Sequence, residues 1–217
     1  MAGIAWRVRA LTLGGAAAAA AVGAAIYGFG GVRWAVLLLV FFATSSMLTR
    51  TGGEHKPPAA DRAGRRAGQV LANGAVASAF ALAYWGGGVP WIAAGFAGAI
   101  AAATADTWAT EIGLLSSTPP RLITSGAVCR PGQSGGVTSL GTRGGIAGAG
   151  AIALLGNLLL GTSVLGVLIA GTAAMFADSL LGATLEARAR LLTNDTVNLL
   201  TTAIGAALAA GLANYLP

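Results

Sequence analysis

The chain has 217 residues, 55% of them hydrophobic and only 9% charged, with 34 glycines and one cysteine, Cys129; its mean hydropathy is +0.74. An ordinary soluble domain carries about a quarter charged residues, so this composition excludes a cytosolic globular enzyme, a disordered tail and a disulfide scaffold. Thirteen Lys and Arg against seven Asp and Glu give a net charge of +6, which in so apolar a chain reads as a membrane-topology bias and not as a nucleic-acid surface.

At about 20 apolar residues per bilayer crossing, runs bounded by charge or by Pro and Gly predict seven spans. They lie near Ala10–Gly30, Val32–Thr49, Gln69–Trp85, Val89–Trp108, Gly144–Leu160, Val164–Leu185 and Val197–Leu216. The expected fold is an all-α polytopic bundle forming a single integral membrane domain over residues 1–217. The first span follows Arg7 and Arg9 in the manner of a signal peptide, but its apolar stretch runs on to Phe29 and a second span follows at once. It is therefore read as a retained helix; cleavage would leave six spans.

The basic residues sort by connection. Arg7 and Arg9 precede span one, and Arg50, Lys56, Arg62, Arg65 and Arg66 lie between spans two and three. Arg121, Arg130 and Arg143 lie between spans four and five, and Arg188 and Arg190 follow span six, leaving Arg33 as the one basic residue on the other face. This asymmetry predicts a cell-membrane protein with its N-terminus cytoplasmic and its C-terminus outside. Small residues spaced by four, such as Gly144 with Gly148, Gly166 with Ala170 and Gly205 with Ala209, predict close helix packing.

Polar residues in or beside the spans need reasons, because a charge in a bilayer costs several kcal/mol. In chain order, the Arg50 to Arg66 connection suits either topology or anionic phosphate, and Asn73, a turn inside span three, requires a polar partner. His55, the single histidine, reads as an exposed loop residue. Asp106 and Glu111 close span four; five apart, they converge only if that helix ends near Trp108, and such hard oxygen ligands suit Mg²⁺. The stretch from Arg130 to Arg143 mixes glycines with Ser134, Thr138, Ser139 and Thr142, a composition that lets backbone N–H groups and a helix N-terminus cradle phosphate. Asp178, within span six, calls for a polar partner or a metal, and Asp195, opening span seven after Thr193 and Asn194, reads equally as a helix cap or a ligand.

Several pieces together resemble the integral membrane family that contains the phytyl-phosphate kinase of plant vitamin E synthesis. They are Ser46-Met-Leu-Thr-Arg50, Gln69-Val-Leu-Ala-Asn-Gly74, Asp106-Thr-Trp-Ala-Thr-Glu-Ile-Gly113, Pro120-Arg-Leu-Ile-Thr124, Pro131-Gly-Gln-Ser-Gly-Gly-Val-Thr138 with Gly141-Thr142, Asp178-Ser-Leu-Leu-Gly-Ala-Thr184 and Thr193-Asn-Asp-Thr-Val-Asn198. Ser134 stands where that family usually has Asn, and Thr138 where it usually has Ser. The resemblance implies transfer of the γ-phosphate of a nucleotide, CTP or another nucleoside triphosphate, to an isoprenoid monophosphate at the cytoplasmic face, dependent on Mg²⁺.

On that reading Asp106, Glu111, Asp178 and Asp195 are the metal ligands, the first three of them catalytic. Arg121, Arg130, Ser134, Gly135, Gly136, Thr138, Ser139, Gly141 and Thr142 bind nucleotide phosphate, and Arg50, Arg65, Arg66 and Asn73 meet the acceptor phosphate. The expected partners are a lipid phosphate, a nucleotide and the bilayer; the oligomeric state is left open. A prenyltransferase using Asn194 and Asp195, and a small-solute transporter, are the rival readings. The first lacks a second Asp-rich cluster, and the second would place its polar residues at mid-membrane.

Overall fold

A computed structural model describes residues 3, 10–50, 64–85, 88–186 and 192–216. Arg7, Arg9, Lys56, Arg62, Arg188, Arg190 and His55 lie outside the described residues. Among the described residues the chain forms seven long helices: α1 (Leu13–Gly30), α2 (Val32–Arg50), α3 (Ala67–Trp85), α4 (Pro90–Gly113), α5 (Ser139–Leu160), α6 (Val164–Leu181) and α7 (Asn194–Leu212). A π-turn, Gly182–Glu186, continues α6. The only sheet among these residues is a two-residue ladder in which β1 (Arg121–Leu122) runs antiparallel to β2 (Gly136–Val137). The all-α membrane bundle is as expected, with one helix per predicted span.

Helices α1, α2, α5, α6 and α7 are each long and apolar enough to cross a bilayer. Of the other two, α4 is rich in Ala and Gly for a reason that packing supplies. Every residue of α4 from Ile92 to Ala105 is buried, because α2, α3, α5, α6 and α7 all pack on it. A helix walled in by protein gains from small side chains that let neighbours approach, whereas a lipid-facing helix needs bulk. The α4–α7 crossing shows this: a β-carbon on Gly98 would run into the Gly205 carbonyl and Ala209. At the other end of α2 and α3 the core is aromatic, with Trp34 stacked 4.3 Å from Phe96 and 4.7 Å from Tyr84.

Connections of one residue between α1 and α2 and of three between α5 and α6 make consecutive helices antiparallel. The chain thus has a hairpin end, carrying the β1–β2 loop, and a far end. Two boundaries differ from the sequence reading by five residues. Helix α4 continues to Gly113 instead of stopping at Trp108, since its last turns stay packed against α5, and polarity at a membrane rim does not itself unwind a helix. Helix α5 begins at Ser139, five residues before Gly144, because the Thr138 hydroxyl accepts from Gly141 N at 2.9 Å and caps it.

Topology has a direct test. Cys129 lies in the hairpin loop, where partial burial pushes its thiol above the ordinary range, so it alkylates slowly and is best replaced by Ser. In that background, cysteines at Ser125 and Tyr215, both exposed and at opposite ends, are expected to label from opposite sides of sealed vesicles. Labelling of both from one side would overturn the seven-span arrangement.

Candidate active site at the hairpin end

The polar residues of the hairpin end divide around α4. Residues five apart on a helix point about 140° from each other, and because α4 does not end at Trp108, Asp106 and Glu111 diverge. Glu111 turns to α2, where Thr49 donates to its Oε1 at 2.7 Å; Trp108 makes a second tie to α2 through its Nε1 and Thr44 Oγ1 at 3.3 Å. Asp106 turns to α6 and lies within hydrogen-bond reach of the Asp178 side chain. Asp178 is in turn held from α7 by the buried Thr201, whose hydroxyl sits 3.3 Å from Asp178 Oδ1 and 3.1 Å from the Asn198 carbonyl.

The carboxylate pair opens into a cavity of about 410 Å³. Its floor is Asp106, Asp178 and Met175, and its walls and roof come from α4, the loop 114–138 and the first turn of α5. Of the nucleotide residues expected from sequence, Ser134, Gly135, Gly136, Thr138, Gly141 and Thr142 line it. Their roles are partly structural: Thr138 is the α5 cap, and Gly141 lets α5 press against the Ala109 carbonyl of α4. Gly135 holds φ +80°, and a β-carbon there would strike Ala183 in the π-turn. The loop therefore sits directly on the helix that carries Asp178.

Other expected residues lie outside this lining. Ser139 is exposed at the first turn of α5. Arg121 is drawn into its own hairpin, donating from Nη1 to the Gly126 carbonyl at 2.8 Å, and Arg130 is exposed at the loop edge next to Pro131, which does line the cavity. Asp195 is not the helix cap; Thr193 is, accepting from Thr196 N. Asp195 instead stands in the first turn of α7 against Gly68 of α3.

The residues expected to meet the acceptor phosphate collect elsewhere on the same end. Arg50 ends α2 and Arg66 is exposed. The Arg65 guanidinium lies over the Phe41 and Phe42 rings, 5.6 and 5.9 Å from their centroids, while its backbone pairs with Ala10 and Thr12. Asn73 donates to the Gln69 carbonyl one turn back at 2.9 Å.

The kinase site expected from sequence left out Thr110, Ser179 and Asn194, which the cavity includes. Thr110 was findable, since it follows Asp106 by four residues and so shares its helix face. Ser179 and Asn194 carried no such signal, because the facing of α6 against the loop is a tertiary fact.

Chemically, the cavity presents two carboxylates, Asp106 and Asp178, to open space. Two carboxylates this close repel unless a proton or a cation lies between them, and among the described residues no Arg or Lys lines the cavity. Among the described residues no three His, Cys, Asp or Glu side chains converge as a closed metal cage. A two-carboxylate donor set beside open space fits Mg²⁺, which keeps waters and completes its shell with phosphate oxygens.

The family described as Integral membrane protein DUF92 matches residues 1–206. An uncharacterized membrane protein of Methanocaldococcus jannaschii is 40% identical over 193 residues, covering 85% of this chain and 80% of that protein. Another, from Synechocystis, is 33% identical over 202 residues, covering 88% and 78%. Protein PGR of Arabidopsis thaliana is 33% identical over 193 residues, covering 72% and 65%. No solved structure matches the chain.

Proposed function

The chain belongs to the Integral membrane protein DUF92 family, and from that premise we propose that it is a lipid-phosphate kinase, transferring the γ-phosphate of CTP to an isoprenoid monophosphate. The observation that carries the reading is the Asp106–Asp178 pair facing a cavity roofed by a glycine and hydroxyl loop. In the reaction an oxygen of the lipid monophosphate attacks the γ-phosphorus. A new P–O bond forms, the bond from that phosphorus to the β–γ bridging oxygen breaks, and the electron pair leaves on the nucleoside diphosphate. The acceptor has a second pKa of about 6 and is already ionised at neutral pH, so no general base is needed. The requirement is neutralisation of crowded negative charge with in-line geometry.

Asp106 and Asp178 would hold Mg²⁺, which supplies that charge stabilisation when bound. Thr201 fixes the Asp178 carboxylate from α7. Ser134, Thr110 and Thr142 offer hydroxyl donors to phosphate oxygens, and the α5 N-terminus adds partial positive charge. Arg130, at the cavity edge, meets the outer part of the nucleotide, and Arg50 and Arg66, exposed on the same end, meet the acceptor headgroup. Glu111, Arg65, Arg121 and Asn73 hold helices and turns in place, each bound as described above, whereas the buried Asp195 Oδ1 has no hydrogen-bond partner among the described residues. The transporter alternative is disfavoured by position, since the cavity lies under the loop at one end of the bundle.

The test is product analysis. Purified protein incubated with labelled isoprenoid monophosphates, CTP and Mg²⁺ is expected to give the diphosphate on thin-layer plates. A prenyltransferase would consume diphosphate instead. Absence of product with all four nucleoside triphosphates across a range of chain lengths would overturn the reading.

A further inference from the structure

A second cavity, of about 570 Å³, lies at the far end between the α1–α2 turn, the end of α3, the start of α4 and the end of α5. Its lining includes Arg33, Trp34, Tyr84, Asn157 and Gly161. Arg33 is out of place there by two measures. It is the one basic residue set against the topology bias. It also has no acidic side chain at its end of the bundle, because no Asp or Glu occurs in residues 13–49, 64–105, 139–177 or 196–216, the stretches that build the far end.

The surroundings indicate what would answer this charge. Trp34 is buried with its ring tilted against Tyr84 at 4.7 Å, while the exposed Trp85 meets Phe29 edge-on at 5.7 Å, and an exposed Trp at a helix end is typical of the membrane–water interface. Leu158 and Val32 on the cavity rim are 78% and 64% exposed, so the rim continues into a lipid-facing surface. Asn157 donates from Nδ2 to the Thr162 carbonyl at 2.9 Å, and its amide carries a second N–H. We infer that this far-end cavity binds the phosphate of an anionic membrane lipid, with Arg33 as its counter-charge, the Asn157 amide as a second donor and the acyl chains along Val32 and Leu158. A phosphodiester carries one negative charge, matching the one guanidinium. The site is independent of the hairpin-end chemistry.

Vesicles of phosphatidylcholine carrying a photo-crosslinkable phosphatidylglycerol test it, with crosslinks mapped to peptides containing residues 30–34 and 157–161. Crosslinking at these peptides is expected to fall about fivefold in Arg33→Gln, to persist in Arg33→Lys, and to be unmoved by excess inorganic phosphate. Equal crosslinking in Arg33→Gln, or equal crosslinking by a phosphatidylcholine probe, would overturn the inference by showing apolar capture alone. Displacement by inorganic phosphate would overturn the lipid as occupant in favour of a soluble anion.

Discussion

Asp106→Asn and Asp178→Asn are each expected to lower diphosphate formation at least about a hundredfold, the scale seen when a group stabilising transition-state charge is removed. Asparagine preserves size and hydrogen bonding but removes the charge that would hold Mg²⁺. The same substitutions should raise the thermal midpoint of the metal-free protein in detergent. Facing carboxylates repel, and an amide can donate to the remaining carboxylate. Loss of turnover with gain of stability separates a ligand pair from a purely structural one, which would lose stability along with activity. Glu111→Gln is the comparator: it disturbs the Thr49 contact on the other side of α4 and should leave the Mg²⁺ concentration dependence where it was. Near-normal turnover of Asp106→Asn at low Mg²⁺ would sink the metal assignment and with it the case for phosphoryl transfer at this end.

Gly135→Ala is expected to raise the KM for nucleotide about tenfold. At φ +80° a side chain costs about 1–2 kcal/mol, and the new methyl also collides with Ala183. The loop must lift off the π-turn, carrying Ser134 away from Asp178. Adding Ala183→Gly removes the collision but not the backbone strain, so the double variant should recover only part of the loss. Gly136→Val should have a smaller effect: Gly136 is not left-handed, and a β-carbon there would meet the Cys129 sulfur at 2.9 Å, which can turn away, and the Gln133 carbonyl at 3.0 Å, which need give only a few tenths of an ångström. An unchanged KM in well-folded Gly135→Ala would remove the loop from the site.

Much of the bundle is legible in the sequence because a bilayer allows few solutions. Backbone groups must be satisfied within each helix, so apolar runs cut by charge or Pro and Gly locate the helices one by one, and spaced small residues such as Gly205 and Ala209 mark the crossings that the structure contains. The loop composition from Arg130 to Arg143 likewise pointed to the wall of the cavity, since six of the residues singled out there line it.

Helix phase and partner choice were not legible. Asp106, Glu111, Asp178 and Asp195 share one end of the bundle, and composition treats them as one acidic set. Only the continuation of α4 to Gly113 sends Asp106 to α6 and Glu111 to α2, and only the packing of α3 on α7 sets Asp195 against Gly68. A one-turn difference in where a helix ends rotates its last side chains to other neighbours, and hydropathy does not sense that turn. The same holds for the arginines. Their number on one face follows from topology, but whether a guanidinium reaches phosphate, stacks on Phe41 or closes on the Gly126 carbonyl is decided by which surfaces lie within side-chain reach. Sequence alone determined the membrane bundle, its helices and the end at which its polar chemistry gathers, because the solvent imposes these span by span. The tertiary structure decided which two of four acids face each other, because that depends on contacts between spans.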